Sequence, residues 1–339
     1  MTWRSIAAAG AGAALLLWLI TKAGLTEVFG AALKLGLPGY VTLLGFQALL
    51  VLIMAIAWAS LGRERSTGER PAKGPLLPLS SFIWGRLTRD GVSQALPMTQ
   101  VGGLVVGGRA LTLEGMSGAT ATASTITDLA IEFLTQLPFV GLGAVLLLRL
   151  KPGSPLGAPV LAVVAALGLM ALGMVLAQYW GAHGIERAVR RIAARGASHS
   201  AAAPVAVALR DIARQPHRLV FGALLHLAAW ILAAGQTWIT LRWLHAPVSL
   251  EGAIVIDSLA AGLKAVAFFV PASLGVQEGG LVMLGLVFGV PPSAALALSL
   301  VRRARDLGLG LPALLAWQWR HGDRIWTARG EPDPGSQLV

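Results

Sequence analysis

Long apolar runs, separated by short basic segments, constrain this chain more than any other feature of its sequence. Apolar residues make up 55% of its 339 residues and charged residues only 13%, whereas about a quarter of the residues in an ordinary soluble domain are charged. A helix needs roughly 20 mostly apolar residues to cross a bilayer. Runs that meet or approach this length are Ile6–Thr21, Tyr40–Leu61, Ala119–Leu148, Leu156–Tyr179, Leu219–Leu244 and Leu307–Trp319. The sequence therefore predicts an all-α integral membrane protein with several spans.

The charge and the reactive residue types narrow the function classes. The net charge is +11, but the basic residues lie mostly between the apolar runs, which is typical of cytoplasmic loops and does not indicate nucleic-acid binding. The chain has no cysteine and six scattered histidines, so we predict no metal site and no cofactor. It also has no glycine-rich phosphate loop of the Walker type, so ATP is not expected to drive this chain directly.

Two apolar regions, Leu76–Gly108 and Val248–Val290, contain charges and are interrupted near their middle. Proline ends a helix because it lacks the N–H donor, and glycine permits a sharp reversal. Backbone left unpaired at membrane depth has to be buried in protein or face a wet cavity. Both regions are therefore predicted to form re-entrant hairpins. The predicted turn residues are Pro97, Gly102 and Gly103 in the first region, and Pro271, Gly275, Gly279 and Gly280 in the second.

The distribution of arginine and lysine predicts how the spans are oriented. The segments Gly62–Pro75 and Trp180–Arg218 are both basic, so both should be cytoplasmic. Two clean spans already separate them, which requires the first broken region to enter and leave on one side. The same rule makes the second broken region enter from the opposite side. We therefore predict a polytopic helical bundle of two inverted repeats, about 40–150 and 219–320, in a bacterial inner membrane with both termini cytoplasmic.

One transmembrane domain is predicted over residues 1–327. Ile6–Thr21 is interpreted as a retained helix, because no cleavage site followed by a polar mature domain comes after it. Within residues 180–218, apolar side chains at helical spacing predict a basic amphipathic linker that lies against anionic lipid; the alternative is a solvated basic loop. Residues 328–339 are predicted to be a disordered tail.

The segment Pro271 to Gly280 reads Pro-Ala-Ser-Leu-Gly-Val-Gln-Glu-Gly-Gly, and it resembles the Pro-x-x-x-Gly-x-x-Glu-Gly signature of the lysylphosphatidylglycerol synthase transmembrane (flippase-like) family. The run Leu96 to Gly103, with Arg109 and Asp128 downstream, also resembles that family's pattern. The resemblance covers roughly residues 5–320. It implies the lipid-translocating part of such proteins without an aminoacyl-transferase domain, and the stand-alone members found in hopanoid biosynthesis are similar in length and layout. At the position just before the glutamate of the signature, the family usually has arginine or another polar residue, and this chain has Gln277. A basic partner for Glu278 therefore has to come from elsewhere.

Ionisable side chains inside the apolar regions are the candidate site residues, since such groups usually face a cavity or a partner. Each has a structural alternative: Glu278 could cap a helix or pair with an arginine, and Arg109 could lie at the cytoplasmic edge. Asp128 and Glu132 share one helix face, either as a proton-coupling pair or as salt-bridge partners of nearby arginines. The residues predicted to meet a lipid headgroup are Glu278, Arg109, Asp128, Arg86, Arg89, Asp306 and Lys264.

The arginines next to Asp306 are expected to start the last span, with at least two of them reaching the membrane interface. His226 has no partner nearby in the sequence and is interpreted as a core histidine. The function predicted from these features is a lipid transporter or flippase with no catalytic residues and with the membrane lipid as its substrate. The alternatives are a membrane-embedded headgroup transferase that uses Glu278 or Asp128 as general base, and a non-catalytic partner of lipid-synthesis enzymes. A homo-oligomer is left open.

Overall fold

The computed structural model describes residues 25–62, 77–95, 100–193, 202–267, 270, 273 and 275–327, and no β-strand occurs among them. The predicted first span Ile6–Thr21, most of the loop Gly62–Pro75, the turn prolines Pro97 and Pro271, and the tail 328–339 lie outside the described residues. The helices are α1 Leu25–Leu33, α2 Gly36–Gly62, α3 Leu79–Ala95, α4 Gln100–Leu113, α5 Gly118–Leu150, α6 Gly157–Ala193, α7 Ala202–Ala213, α8 Pro216–Trp243, α9 Leu250–Val266, α10 Val276–Val287 and α11 Pro292–Thr327.

Four stretches of helix are long and apolar enough to cross a membrane: Gly36–Gly62, Gly118–Leu150, Gly157–Leu176 and Pro216–Trp243. They coincide with the second to fifth runs identified in the sequence. Large apolar side chains such as Leu169 and Leu224 point outward from these helices and are 70% and 60% exposed, which suits contact with lipid tails and not with water. The predicted all-α polytopic membrane fold is confirmed.

Two helices are longer than the sequence indicated. The last predicted span, Leu307–Trp319, is only part of α11, which already begins at Pro292. The predicted amphipathic linker does not begin as a separate helix at Trp180, because α6 continues without a break to Ala193. Each extension follows the same physics: nothing in these sequences stops the helix, since neither a proline nor a glycine pair stands at the expected boundary.

Each broken region is a pair of short helices, α3 with α4 and α9 with α10, and the members of each pair pack against each other. Only some of the residues predicted to form the two turns do so. Gly275 ends the second break with a φ of +75°, a conformation that favours glycine. Gly102 and Gly103 lie inside α4, and Gly279 and Gly280 lie inside α10. Gly103 and Gly280 serve close packing instead: a Cβ on Gly103 would lie 2.6 Å from the carbonyl oxygen of Arg89, and one on Gly280 would lie 2.6 Å from Cδ2 of Leu263.

Contacts between the earlier helices α2, α3 and α5 and the later helices α8, α9 and α11 place all six around a common centre. Helix α3 packs on α11, α5 packs on α9, and α2 packs on α8. The amide of Gln136 on α5 donates to the carbonyl oxygen of Ala261 on α9 over 2.9 Å. A large apolar cluster joins α5, α6, α9, α10 and α11 and includes the buried residues Leu147, Leu167, Leu259 and Leu281. The polar residues of α3, α5, α9 and α11 are left facing the centre of the bundle.

Candidate functional site

A cavity of about 510 Å³ lies between α2, α3, α5, α8, α9 and α11, and one side chain of α10 and one of α6 also reach it. Part of its wall is apolar, formed by residues such as Leu50, Met54, Phe133 and Met170. The rest is charged to an extent unusual inside a membrane bundle. The charged lining residues are Arg86, Asp90, Glu132, Asp257, Lys264, Arg302, Arg303, Arg305 and Asp306.

The first group of charges, here called the first cluster, consists of Arg86, Arg89, Asp90, Asp128, Glu132 and His226. Arg86 and Arg89 lie one turn apart on α3, so both guanidinium groups point toward α5. Nη1 and Nη2 of Arg86 each lie 3.0 Å from a carboxylate oxygen of Glu132, and Nη2 of Arg89 lies 2.9 Å from one. Glu132 thus joins both arginines, an arrangement that suits the flat guanidinium fork.

Asp128 lies one turn before Glu132 on α5 and is completely buried. Its Oδ2 accepts from Nη1 of Arg89 at 2.9 Å and from Nη1 of Arg86 at 3.4 Å. Asp90, whose side chain is 33% exposed, accepts from Nε of Arg86 at 3.0 Å. The structural alternative stated for Asp128 and Glu132, salt bridges to Arg86 and Arg89, is therefore present in the structure.

His226 on α8 completes the first cluster. Its Nε2 lies 2.9 Å from Oδ1 of Asp128, and neither side chain has any exposed surface. Its other ring nitrogen, Nδ1, has no hydrogen-bond partner among the described residues. His226 is a buried core histidine, as predicted, and its partner comes from a helix 98 positions earlier in the chain. A polar residue in the middle of a clean span was the signal available in the sequence.

The second group of charges, here called the second cluster, consists of Asp257, Lys264, Glu278, Arg302, Arg303, Arg305 and Asp306. Glu278 is the third residue of α10 and is 1% exposed. Its Oε2 accepts from the N–H of Gly275 at 2.7 Å, and its Oε1 accepts from the hydroxyl of Ser299 at 2.9 Å and from Nε of Arg303 at 3.1 Å. The carboxylate therefore both caps its own helix and pairs with α11.

The other arginines of α11 reach two further helices. Arg302 pairs with Asp257 on α9 and donates to the hydroxyl of Thr237 on α8. Arg305 donates to Asp306 at 2.7 Å and to the side-chain oxygen of Gln236 on α8. The expectation that these arginines start the last span is wrong, since α11 already begins at Pro292, and all three bind partners around the cavity. Arg303 is the basic partner that the sequence required for Glu278.

Lys264 differs from the arginines in that no carboxylate of the described residues comes within 4.0 Å of its ammonium group. The carboxylate of Asp306 attracts it, while Arg302, Arg303 and Arg305 repel it. Lys264 is half-buried in the last turn of α9 and lines the cavity. A cation that is held in such a place without a protein anion is available to an anion that enters the cavity.

The two clusters carry opposite net charge when the histidine is neutral. Among the described residues, the first cluster has two arginines and three carboxylates. The second has four basic side chains and three carboxylates. The cavity thus lies between a wall with one excess negative charge and a wall with one excess positive charge.

The seven predicted site residues do not all meet at the cavity. Arg86, Lys264 and Asp306 line it. Asp128, Arg89 and Glu278 lie buried behind the lining and hold it in place. Arg109 is exposed on α4 and does not line the cavity, so the structure does not bring it together with the other six. Its place in the sequence suggested proximity, but α4 turns this side chain outward from the bundle.

Comparison with known proteins gives one match, and it covers nearly the whole chain. The sequence pattern of the lysylphosphatidylglycerol synthase TM region matches residues 5–313. The chain belongs to this family. No curated protein and no solved structure matches it. The lysylphosphatidylglycerol synthase TM region is a domain of membrane lipid handling, and the match includes α1 to α10 and both clusters. The resemblance seen in the Pro271 to Gly280 segment is therefore confirmed at the level of the family.

Proposed function

We propose that this protein moves a lipid between the leaflets of a bacterial inner membrane, with the polar headgroup in the cavity and the tails in the bilayer. The observation that carries the proposal is a charged cavity of about 510 Å³ inside a bundle whose outer surface is apolar. Its volume is within the range of roughly 300–1,000 Å³ for sites that bind small molecules. A headgroup needs such a polar place at membrane depth, whereas lipid tails need none.

Lys264 is the residue that selects the chemistry of the headgroup in this proposal. The carboxylates of both clusters are already paired with arginine, but Lys264 has no carboxylate of the described residues within 4.0 Å. A phosphate or carboxylate on the headgroup would supply the missing negative charge. The proposed substrate is therefore a lipid with an anionic group, which includes phospholipids and acidic hopanoid derivatives.

The apolar part of the cavity wall suits the remainder of the lipid. Met54, Phe133 and Met170 line it, and flexible methionines adapt to chains of different shape. In this proposal the two broken helix pairs are re-entrant hairpins of an inverted repeat and gate the cavity toward one leaflet at a time. The termini are cytoplasmic, and the basic 180–218 segment contacts anionic lipid on that side. The protein then acts without a chemical step, and lipid-synthesis enzymes are its proposed neighbours.

The test is the movement of a fluorescent phosphatidylglycerol between the leaflets of vesicles that contain the purified protein. A reductant added outside bleaches the outer leaflet, so protein-dependent loss of the inner signal reports transport. Lys264→Ala is expected to slow transport about tenfold, the equivalent of roughly 1.4 kcal/mol. The matched control is Lys34→Ala, because Lys34 is exposed on the loop between α1 and α2.

Two results would count against the proposal. Protein-free and protein-containing vesicles could bleach at the same rate, or the two lysine variants could slow transport equally. Chemical conversion of the lipid by purified protein would instead favour the transferase alternative. Mass spectrometry of the recovered lipid distinguishes conversion from movement in the same sample.

A further inference from the structure

The first cluster lacks one positive charge. Two arginines face three carboxylates on α3 and α5, and an unbalanced negative charge inside a membrane bundle is costly. One bound proton would remove the imbalance. The cluster already contains a group of the right type, because imidazole is the side chain whose ordinary pKa allows it to gain a proton near neutral pH.

His226 has one ring nitrogen engaged and one vacant. When Asp128 is ionised, the Nε2–H of His226 donates to its Oδ1 over 2.9 Å, so the lone pair of the neutral ring is on Nδ1. Nδ1 is buried and has no hydrogen-bond partner among the described residues. A proton that arrives at this nitrogen produces an imidazolium beside Asp128 and makes the cluster neutral.

The charged groups that face His226 come from several neighbouring helices. Asp128 and Glu132 approach from α5, and the arginines of α3 lie behind those carboxylates. Helix α9 contributes Asp257 and α11 contributes Arg302 and Arg305, about three turns farther along α8 at Thr237 and Gln236. Helix α7 carries Arg210 and Asp211 near the start of α8, and the described part of α2 has no charged residue, only Tyr40.

Arg86 connects this buried pair to the cavity. It lines the cavity and donates to Asp90 and Glu132, while its 3.4 Å contact with Asp128 is the longest in the cluster. With an imidazolium beside Asp128, that carboxylate needs Arg86 less, so more of the positive charge of Arg86 acts on the cavity. The cavity wall as a whole then gains one positive charge.

We propose that the Asp128–His226 pair is a proton-binding site whose occupancy sets the charge that a lipid headgroup meets in the cavity. The link to lipid rests on the proposed function, whereas the proton site itself does not. Linkage is reciprocal, so a headgroup anion bound in the cavity also strengthens proton binding. Acid therefore favours loading of an anionic headgroup, and a proton gradient across the membrane can bias its direction.

The transport arm of the test uses phosphatidylcholine vesicles with a trace of fluorescent phosphatidylglycerol, assayed between about pH 8 and about pH 6. The wild-type rate is expected to rise about three- to tenfold toward the acid end, since one linked proton changes an affinity by at most about tenfold per pH unit. The transport rate of His226→Gln should remain, at every pH, at the low rate that the wild type has at the alkaline end. Asp128→Asn removes the excess negative charge permanently, so its transport rate should remain, at every pH, at the high rate that the wild type has at the acid end.

The opposite behaviour of these two variants separates proton binding from a structural role, because a residue needed only for folding would slow transport in both. His217→Gln is the matched control: it is the same substitution on the same helix at an exposed position, and it should behave like the wild type. Equal pH dependence in the wild type and in His226→Gln would overturn the inference while leaving the proposed function intact.

The second arm detects the proton without transport. Infrared difference spectra of the membrane-reconstituted protein between the two pH values should contain an imidazole or carboxyl band that is missing in His226→Gln and present in His217→Gln. An unchanged spectrum in His226→Gln would overturn the proton site. If no vesicle shows protein-dependent lipid movement at any pH, the proposed function fails, and the infrared arm still decides whether the site binds a proton.

Discussion

The first and second clusters solve the same physical problem, which is keeping several charges inside an apolar bundle, in different ways. In the first cluster both arginines come from α3 and their partners Asp128 and Glu132 from α5, with Asp90 added from α3 itself. In the second cluster the arginines of α11 reach partners on α8, α9 and α10. The first cluster is a compact joint between α3 and α5 to which α8 adds His226, and the second ties one helix to several others.

The comparison assigns different roles to the two walls of the cavity. The first cluster pairs every charged group and buries Asp128 completely, as expected of a rigid support. In the second, Lys264 forms no salt bridge with any described carboxylate and Arg303 is 29% exposed, as expected of a surface that an anion contacts. Substitutions in the two clusters should therefore affect stability and transport to different degrees.

Removing the buried carboxylate of the first cluster should have the largest effect on stability. Asp128→Ala leaves two arginines and a histidine without their common partner, which costs about 3–5 kcal/mol when a buried ion pair is broken on one side. The thermal unfolding temperature in detergent should fall strongly, measured by tryptophan fluorescence. Glu251→Ala, at an exposed position in the first turn of α9, is the control and should change little. A similar small change for both variants would show that the first cluster is not a support.

Substitution of Glu278 tests whether the second cluster depends more on capping or on charge. Glu278→Ala loses the bond from Gly275 and the pair with Arg303, and we expect a loss of about 2–4 kcal/mol in the free energy of unfolding. Glu278→Gln keeps an oxygen for the cap and should lose about half as much. Denaturant titration of both variants measures the difference. Equal losses would mean that the charge pair, and not the cap, determines the stability of this turn.

Lys264 should separate stability from function. Lys264→Met removes a half-buried cation that has no carboxylate partner among the described residues, so the protein should become more stable by about 1 kcal/mol while lipid transport falls. The two measurements are the unfolding midpoint in detergent and the bleaching assay in vesicles. A stability loss together with the transport loss would place Lys264 among the supporting residues, like those of the first cluster.

Arg109 should have the smallest effect. It is exposed on α4 and does not line the cavity, so Arg109→Ala should change the free energy of unfolding by less than about 0.5 kcal/mol and leave the transport rate unchanged. The same two assays apply. A transport defect would mean that an exposed arginine outside both walls contributes to the lipid path. The path would then include residues beyond the first and second clusters.

The fold class was predictable from the sequence because length and hydropathy determine which helices can cross a membrane. The boundaries of α5 and α8 were predicted to within a few residues for the same reason. The break near Gly275 was also predictable, since a glycine with positive φ leaves a local signal. The start of helix α11 was not predictable, because its arginines resemble the end of a span until their partners are known.

The pairing of site residues was the part that local patterns could not reveal. Asp128 and His226 are 98 positions apart, and Glu278 and Arg303 are 25 apart on different helices. Helical spacing relates only residues of the same helix. Spacing did place Asp128 with Glu132 and Arg86 with Arg89, and it missed the contacts that depend on how the helices pack together.

The arrangement of α11 has a consequence for how the bundle moves. Arg302, Arg303 and Arg305 follow one another within one turn, yet they are attached to three different helices. Any slide or rotation of α11 must therefore release and remake these attachments together. Such a helix moves between a few discrete positions and does not drift continuously, so a change of access to the cavity would occur as a step.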